Sequence, residues 1–157
     1  MARIVVCMLH ALFFASAARA AAEEHVLRLQ MSPYTLHYDP KPEHDTVWAV
    51  GIELERSTST IHGLLYFKNT FGQKSLYVYP WGRVYRNLFN IERLYFKWSV
   101  GILWGYKDPY EDKVPLNYHG FSPAIVPALG VNLPEGFSFQ VNLLGFSGVM
   151  FQIAKDL

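Results

Sequence analysis

His37, Asn69 and Thr70 are the residues whose types can do chemistry together. An imidazole beside a hydroxyl acts as a general base, taking the hydroxyl proton as the oxygen attacks a carbonyl. A side-chain amide can donate to the oxyanion that then develops. With His37 as base, Thr70 as hydroxyl and Asn69 as polariser, the set would transfer or hydrolyse an acyl group. The plain alternative for a histidine near a loop is a solvated side chain, and it applies equally to His62 and His119. His119 lies close to Ser122 and could join a site with His37, whereas His62 falls at the wrong end of its segment. Asp39, Glu43, His44 and Asp45 crowd one stretch, first a solvated loop and only second a weak cation site. No metal-ligand spacing and no glycine-rich phosphate loop stands out, so neither a metal nor a cofactor is expected.

His37 and Thr70 are distant in sequence, so the chain must fold to bring them together. The dominant period is two. Leu94, Phe96, Trp98, Val100, Ile102 and Trp104 alternate with Tyr95, Lys97, Ser99, Gly101, Leu103 and Gly105. Phe137, Phe139, Val141 and Leu143 alternate with Ser138, Gln140 and Asn142, and Trp48, Val50, Ile52 and Leu54 with Ala49, Gly51, Glu53 and Glu55. Val149, Phe151 and Ile153 alternate likewise with Met150, Gln152 and Ala154. A soluble sandwich alternates too, but it sets its charges outside. Here the second face is rich in Gly, Ser, Gln and Asn with few charges, which suits a narrow barrel lumen. The composition agrees: 51% hydrophobic, 16% aromatic and only 17% charged, with a formal net charge of +1. Disorder, a disulfide scaffold and a basic nucleic-acid binder are all excluded.

Eight strands are predicted, at Val26–Tyr38, Thr46–Arg56, Thr60–Thr70, Lys74–Val84, Arg93–Tyr106, His119–Asn132, Gly136–Leu144 and Gly148–Leu157. The expected fold is all-β, an eight-stranded antiparallel up-and-down transmembrane β-barrel, closed because lipid offers no partner for a strand edge. Tyr77, Tyr79, Trp81, Tyr95, Trp104, Tyr106 and Tyr110 are expected at the membrane interfaces. Residues 1–20 have the form of a cleaved signal peptide: Arg3, an apolar core from Ile4 to Ala15, then Ala18-Arg19-Ala20. One barrel domain, 21–157, would remain, without Cys7 and with 12 basic against 13 acidic residues. Strand parity, with both termini in the periplasm, puts the connections after strands one, three, five and seven outside the cell. His37 and Asn69-Thr70 then share the external rim.

The run His62-Gly63-Leu64-Leu65-Tyr66-Phe67-Lys68-Asn69-Thr70-Phe71 resembles the strand and loop bearing the catalytic pair of the lipid A palmitoyltransferase (PagP) family. Pro33, Thr35 and His37 are similar to the approach to that family's catalytic histidine, and Trp48 and Gly51 to its next strand. Pro123, Pro127 and Phe139-Gln140 are similar to its proline-interrupted strand and the strand after it. The resemblance, from about Pro33 onward, implies a monomeric outer-membrane barrel moving a palmitoyl or similar chain from a glycerophospholipid to lipid A. It implies lateral openings where Pro33, Pro123 and Pro127 weaken strand pairing; a local bulge is the alternative for Pro33. It also implies a floor residue that measures acyl length, mapping near Trp81 or Gly82. Two departures stand out. The family's aspartate-serine pair is here Asn69-Thr70, and the amphipathic helix before the first strand is missing. Asp39 or Asp45 could supply the lost carboxylate. The alternative is a non-catalytic lipid-binding or structural barrel of the same ancestry. A deacylase is disfavoured by the absence of a histidine-x-serine triplet, and a porin by the small strand number.

Overall fold

The computed structural model describes residues 25–40 and 44–157; the expected leader, Cys7 and Glu43 lie outside the described residues. Eight strands follow in chain order: β1 (Val26–His37), β2 (Ala49–Glu55), β3 (Ile61–Lys68), β4 (Lys74–Arg86), β5 (Leu94–Trp104), β6 (Phe121–Asn132), β7 (Phe137–Leu143) and β8 (Gly148–Asp156). Each pairs antiparallel with the next, and β8 returns to β1 to close the barrel. The elements agree with the expected order and number. The strand from Thr46 to Arg56 is shortened to begin at Ala49, and β4 runs two residues further, to Arg86.

The alternation settles which face is inside. Ala49, Glu53 and Glu55 of β2, Tyr95, Lys97 and Ser99 of β5, and Ser138, Gln140 and Asn142 of β7 are buried. Their neighbours Val50, Ile52 and Ile102 are exposed on the outer wall. Two expectations need correction. Tyr77, Tyr79 and Tyr95 are not interface aromatics; all three are buried inside the barrel. An eight-stranded barrel must fill its own interior, and glycines on adjoining strands make room for the rings. A Cβ on Gly63 would strike the Tyr79 phenol, and one on Gly130 the Tyr95 ring. The lumen is also more charged than the few-charge reading allowed.

Those charges gather at the end that carries the chain termini. Lys97 Nζ lies 2.7 Å from Glu53 Oε2 and Arg86 Nη1 lies 2.6 Å from Glu55 Oε1. Arg28 pairs with Glu55, reaches Glu53 at 3.6 Å, and meets Asp156 at 2.6 Å. Tyr79 donates to Glu53 at 3.0 Å. Three cations thus face three carboxylates, and the group ties β1, β2, β4, β5 and β8 across the interior. Isolated buried charges cost many kcal/mol, so the residues can sit here only as a set. Toward the opposite rim the interior turns apolar, with Ala49, Leu65 and Met150 buried and Phe67, Leu103, Ala124 and Val126 packed against them.

Prolines break the ladder at defined places. The β1–β8 register shifts between Met31 and Tyr34, around Pro33, and the β4–β5 register between Val78 and Trp81, around Pro80. Both are β-bulges, which proline tolerates because it has no N–H to lose. At the second, His62 Nδ1 lies 2.5 Å from the freed Pro80 carbonyl, so the ring supplies the donor that the strand lacks. Pairing also stops early along two seams. β1 pairs with β2 only as far as Ser32, leaving Tyr34 to His37 joined to β8 alone. β6 pairs with β7 only from Ala128 onward, leaving Phe121 to Pro127 joined to β5 alone. Both seams open toward the rim opposite the termini.

Replacing Lys97 by Met leaves Glu53 in the lumen with the Tyr79 hydroxyl and, as its one cation, the more distant Arg28. The expected cost is about 3–5 kcal/mol in denaturant unfolding, and the Lys97→Met, Glu53→Gln double variant recovers a large part of it. An unfolding midpoint unchanged in Lys97→Met would remove the ion set as a stability determinant.

Candidate active site at the barrel rim

His37 faces the barrel mouth because of the bulge at Pro33. Gln30 and Ser32 point inward, Pro33 and Tyr34 both point outward, and the extra residue resets the alternation so that Thr35 is again inside. His37, two residues further, follows Thr35 at the rim. Without that reset, strand parity would turn the imidazole to the outer wall.

Thr70 arrives from the β3–β4 connection. Asn69 N donates to Gln73 O at 2.8 Å and Gly72 N to Asn69 O at 2.9 Å. Gly72 has φ +78°, a left-handed conformation that glycine adopts without strain. The turn presents Thr70 across the mouth, and Thr70 Oγ1 lies 2.9 Å from His37 Nε2. The neighbouring connection holds the turn in place: Asp45 N donates to Thr70 O at 2.8 Å, and Lys68 Nζ lies 2.7 Å from Asp45 Oδ2.

The third expected member has another task. Asn69 is fully buried, and its Oδ1 accepts from the backbone N–H of Phe71 and of Gln73, each at 3.0 Å. Its Nδ2 reaches Gln73 Oε1 at 3.4 Å. Asn69 therefore shapes the loop that carries Thr70, an Asx-type turn, rather than aiming an amide at the mouth. Asp45, a candidate replacement carboxylate, is committed to Lys68, and Asp39 is exposed. The group next to His37 is instead His44, with ring centroids 5.6 Å apart.

Other parts of the rim carried no role in the sequence. Gln73 clasps the backbone of Lys107 in both directions: Nε2 donates to Lys107 O at 3.2 Å, and Lys107 N donates to Oε1 at 3.1 Å. Phe71 stacks on Tyr110 at 4.2 Å and meets His44 edge-on at 5.6 Å. The turn bearing Thr70 is thereby fastened to the long β5–β6 connection. Thr35 belongs to the PagP-like pattern and now acquires a position. It is the one buried hydroxyl among the described residues with no hydrogen-bond partner, two residues below His37 on the lumen side. His119 does not join the site: it is exposed against Tyr118, while Ser122 is buried and donates to the Pro115 carbonyl at 2.5 Å. Of the two floor candidates, Gly82 faces inward, where a Cβ would meet Ile61, and Trp81 faces outward. Among the described residues no three His, Cys, Asp or Glu side chains are grouped to hold a metal ion.

The arrangement offers a base and a hydroxyl in contact, at the open end of an apolar lumen and beside two breaks in its wall. No family model matches the chain, and no curated protein is significantly similar to it.

Asn69→Ala leaves two turn amides without their acceptor and is expected to cost about 1–3 kcal/mol of unfolding free energy. Asn69→Asp keeps both acceptors and is expected near wild type. Equal stability of Asn69→Ala and wild type, measured by denaturant titration, would return Asn69 to the role of polariser.

Proposed function

We propose that the protein is a PagP-like outer-membrane acyltransferase, moving a palmitoyl or similar chain from a glycerophospholipid to lipid A. The observation that carries this reading is the 2.9 Å contact between His37 Nε2 and Thr70 Oγ1 at the rim. Two features support it. The outer wall displays Leu29, Ile52, Ile102, Ile125 and Leu129 to the surroundings, a contiguous apolar face of the kind that marks a membrane contact. The lumen beneath the site holds the apolar cluster of Leu65, Met150, Phe67 and Leu103, and both unpaired seams lie in that half, so that an acyl chain has lateral ways in.

In this reading the N-terminal leader directs export, and the chain functions as a monomer in the outer membrane with its rim outside. His37 takes the Thr70 proton while Oγ1 attacks the phospholipid ester carbonyl. The tetrahedral intermediate collapses, the lysophospholipid oxygen leaves with the proton from His37, and the acyl group stays on Thr70. A lipid A hydroxyl then gives its proton to His37 and attacks the threonyl ester, releasing Thr70 as the free hydroxyl. Thr35, two residues before His37 on β1 and with an unpartnered hydroxyl, would lie on the lumen side of that ester.

A second reading, a non-catalytic lipid-binding barrel of the same ancestry, draws on one observation. Asn69 is occupied in its turn and Asp45 is paired with Lys68, so neither holds His37. Mass spectrometry of lipid A from cells with and without the protein separates the two. The expected result is a gain of one acyl chain, lost by about 10²-fold or more in His37→Ala and in Thr70→Val, and retained in Thr70→Ser. Unchanged lipid A in cells producing the folded wild-type protein would sink the enzyme reading.

A further inference from the structure

The outer face of the rim carries lysines that the ion set in the lumen does not use. Lys68 and Lys74 stand directly opposite each other where β3 and β4 stop pairing. Both alternate outward, since their chain neighbours Asn69 and Ser75 are buried inside. Like charges placed face to face repel. Asp45 relieves one of them, with Lys68 Nζ 2.7 Å from its carboxylate. Lys74 is exposed, and among the described residues no carboxylate pairs with it.

A second unpaired cation stands on the next strand end. Gln73, the residue before Lys74, clasps the backbone of Lys107 through both its N–H and its carbonyl, which brings the two lysines to neighbouring strand ends. Lys107 Nζ lies 4.3 Å from the centre of the Trp104 ring, a cation–π contact that holds the ammonium over the outer wall. Trp104 is the cross-strand partner of Leu76, so it lies diagonal to Lys74 on the same outward face. Two ammonium groups, neither with a carboxylate, therefore flank one indole.

The indole also fixes the height of this face. Tryptophan on the outer wall of a barrel settles at headgroup level, and lysine stems carry their charge to the same layer. The anions found in that layer are lipid phosphates, which form charge-assisted hydrogen bonds with ammonium groups. Two cations set on either side of a ring suit a headgroup with more than one phosphate. A simple glycerophospholipid has one; lipid A, phosphorylated at both ends of its disaccharide, has two.

We propose that the Lys74–Trp104–Lys107 face binds lipid A through its phosphates, with the two lysines as their partners and the acyl chains along the outer wall beneath Trp104. The inference rests on the outer-membrane reading above, which sets this rim in the lipid A leaflet. It gives neither lysine a part in making or breaking bonds. Lys74 closes the hairpin whose turn carries Thr70, so a lipid held here lies beside the rim site.

The test uses the full mature chain in nanodiscs of dioleoylphosphatidylcholine doped with bisphosphorylated lipid A, released into detergent for native mass spectrometry. Wild type is expected to retain lipid A, and Lys74→Gln and Lys107→Gln each to lower the retained fraction about fivefold. The double variant loses more than either. Both side chains are exposed, so the barrel stays folded, which circular dichroism verifies. Lys113→Gln removes a charge of the same rim that is already paired with Asp112, and it keeps the wild-type fraction. Monophosphorylated lipid A is retained less, and dioleoylphosphatidylglycerol in its place least. Undiminished retention in the double variant overturns the proposal, as does a loss of the same size in Lys113→Gln. Retention of dioleoylphosphatidylglycerol equal to that of lipid A overturns the assignment to lipid A. His37→Ala keeps the lipid, so absent acyl transfer with retention intact counts against the catalytic reading alone.

Discussion

The buried carboxylate of Glu53 is the constraint around which the barrel interior is arranged. It is 1% exposed, and Lys97 and Tyr79 hydrogen-bond one of its oxygens while Arg28 stands 3.6 Å from the other, converging on it from three other strands. No single one of them would meet the desolvation cost of a carboxylate in so dry a place. Their convergence uses up the terminal half of the lumen, where Glu55, Arg86 and Asp156 extend the same set. The other half is left to Leu65, Met150 and their apolar neighbours. With its buried charges concentrated at one end, the barrel keeps them away from the other, and the His37–Thr70 pair stands at that other mouth.

The strands were legible because alternation is a local property. The parity of Trp48 to Glu55, of Leu94 to Gly105 and of Phe137 to Leu143 alone predicts the inner and outer faces found. Parity already sets Tyr95 on the lumen face; what it cannot see is whether a ring fits there. A ring belongs inside only if another strand offers a gap, and Gly63 and Gly130, directly opposite Tyr79 and Tyr95 on the adjoining strands, provide it. The same holds for the charges. Arg28, Glu53 and Lys97 look like scattered polar residues until the sheet curls and sets them face to face.

The site divides along the same line. That His37 and Thr70 share a rim follows from counting strands, and their contact agrees with it. The work of Asn69 does not follow, because a short polar side chain before a tight turn can face outward to a ligand or inward to its own backbone. Here two amides claim its oxygen. Gln73 and Phe71 were silent because their partners, Lys107 and Tyr110, come from a connection with no period to read.

The bulge at Pro33 carries a consequence that lies in arithmetic rather than chemistry. The strand from Gln30 to His37 spends two consecutive residues, Pro33 and Tyr34, on the outer wall, so its two halves are out of phase. The lower half is anchored by Arg28 in the ion set, and the upper half delivers the imidazole. Neither half constrains the identity of the odd residue between them, only its presence. The rim chemistry therefore rests on the number of residues between Ser32 and Thr35. A change in chain length there would rotate His37 out of the mouth while every side chain that touches Thr70 stayed the same.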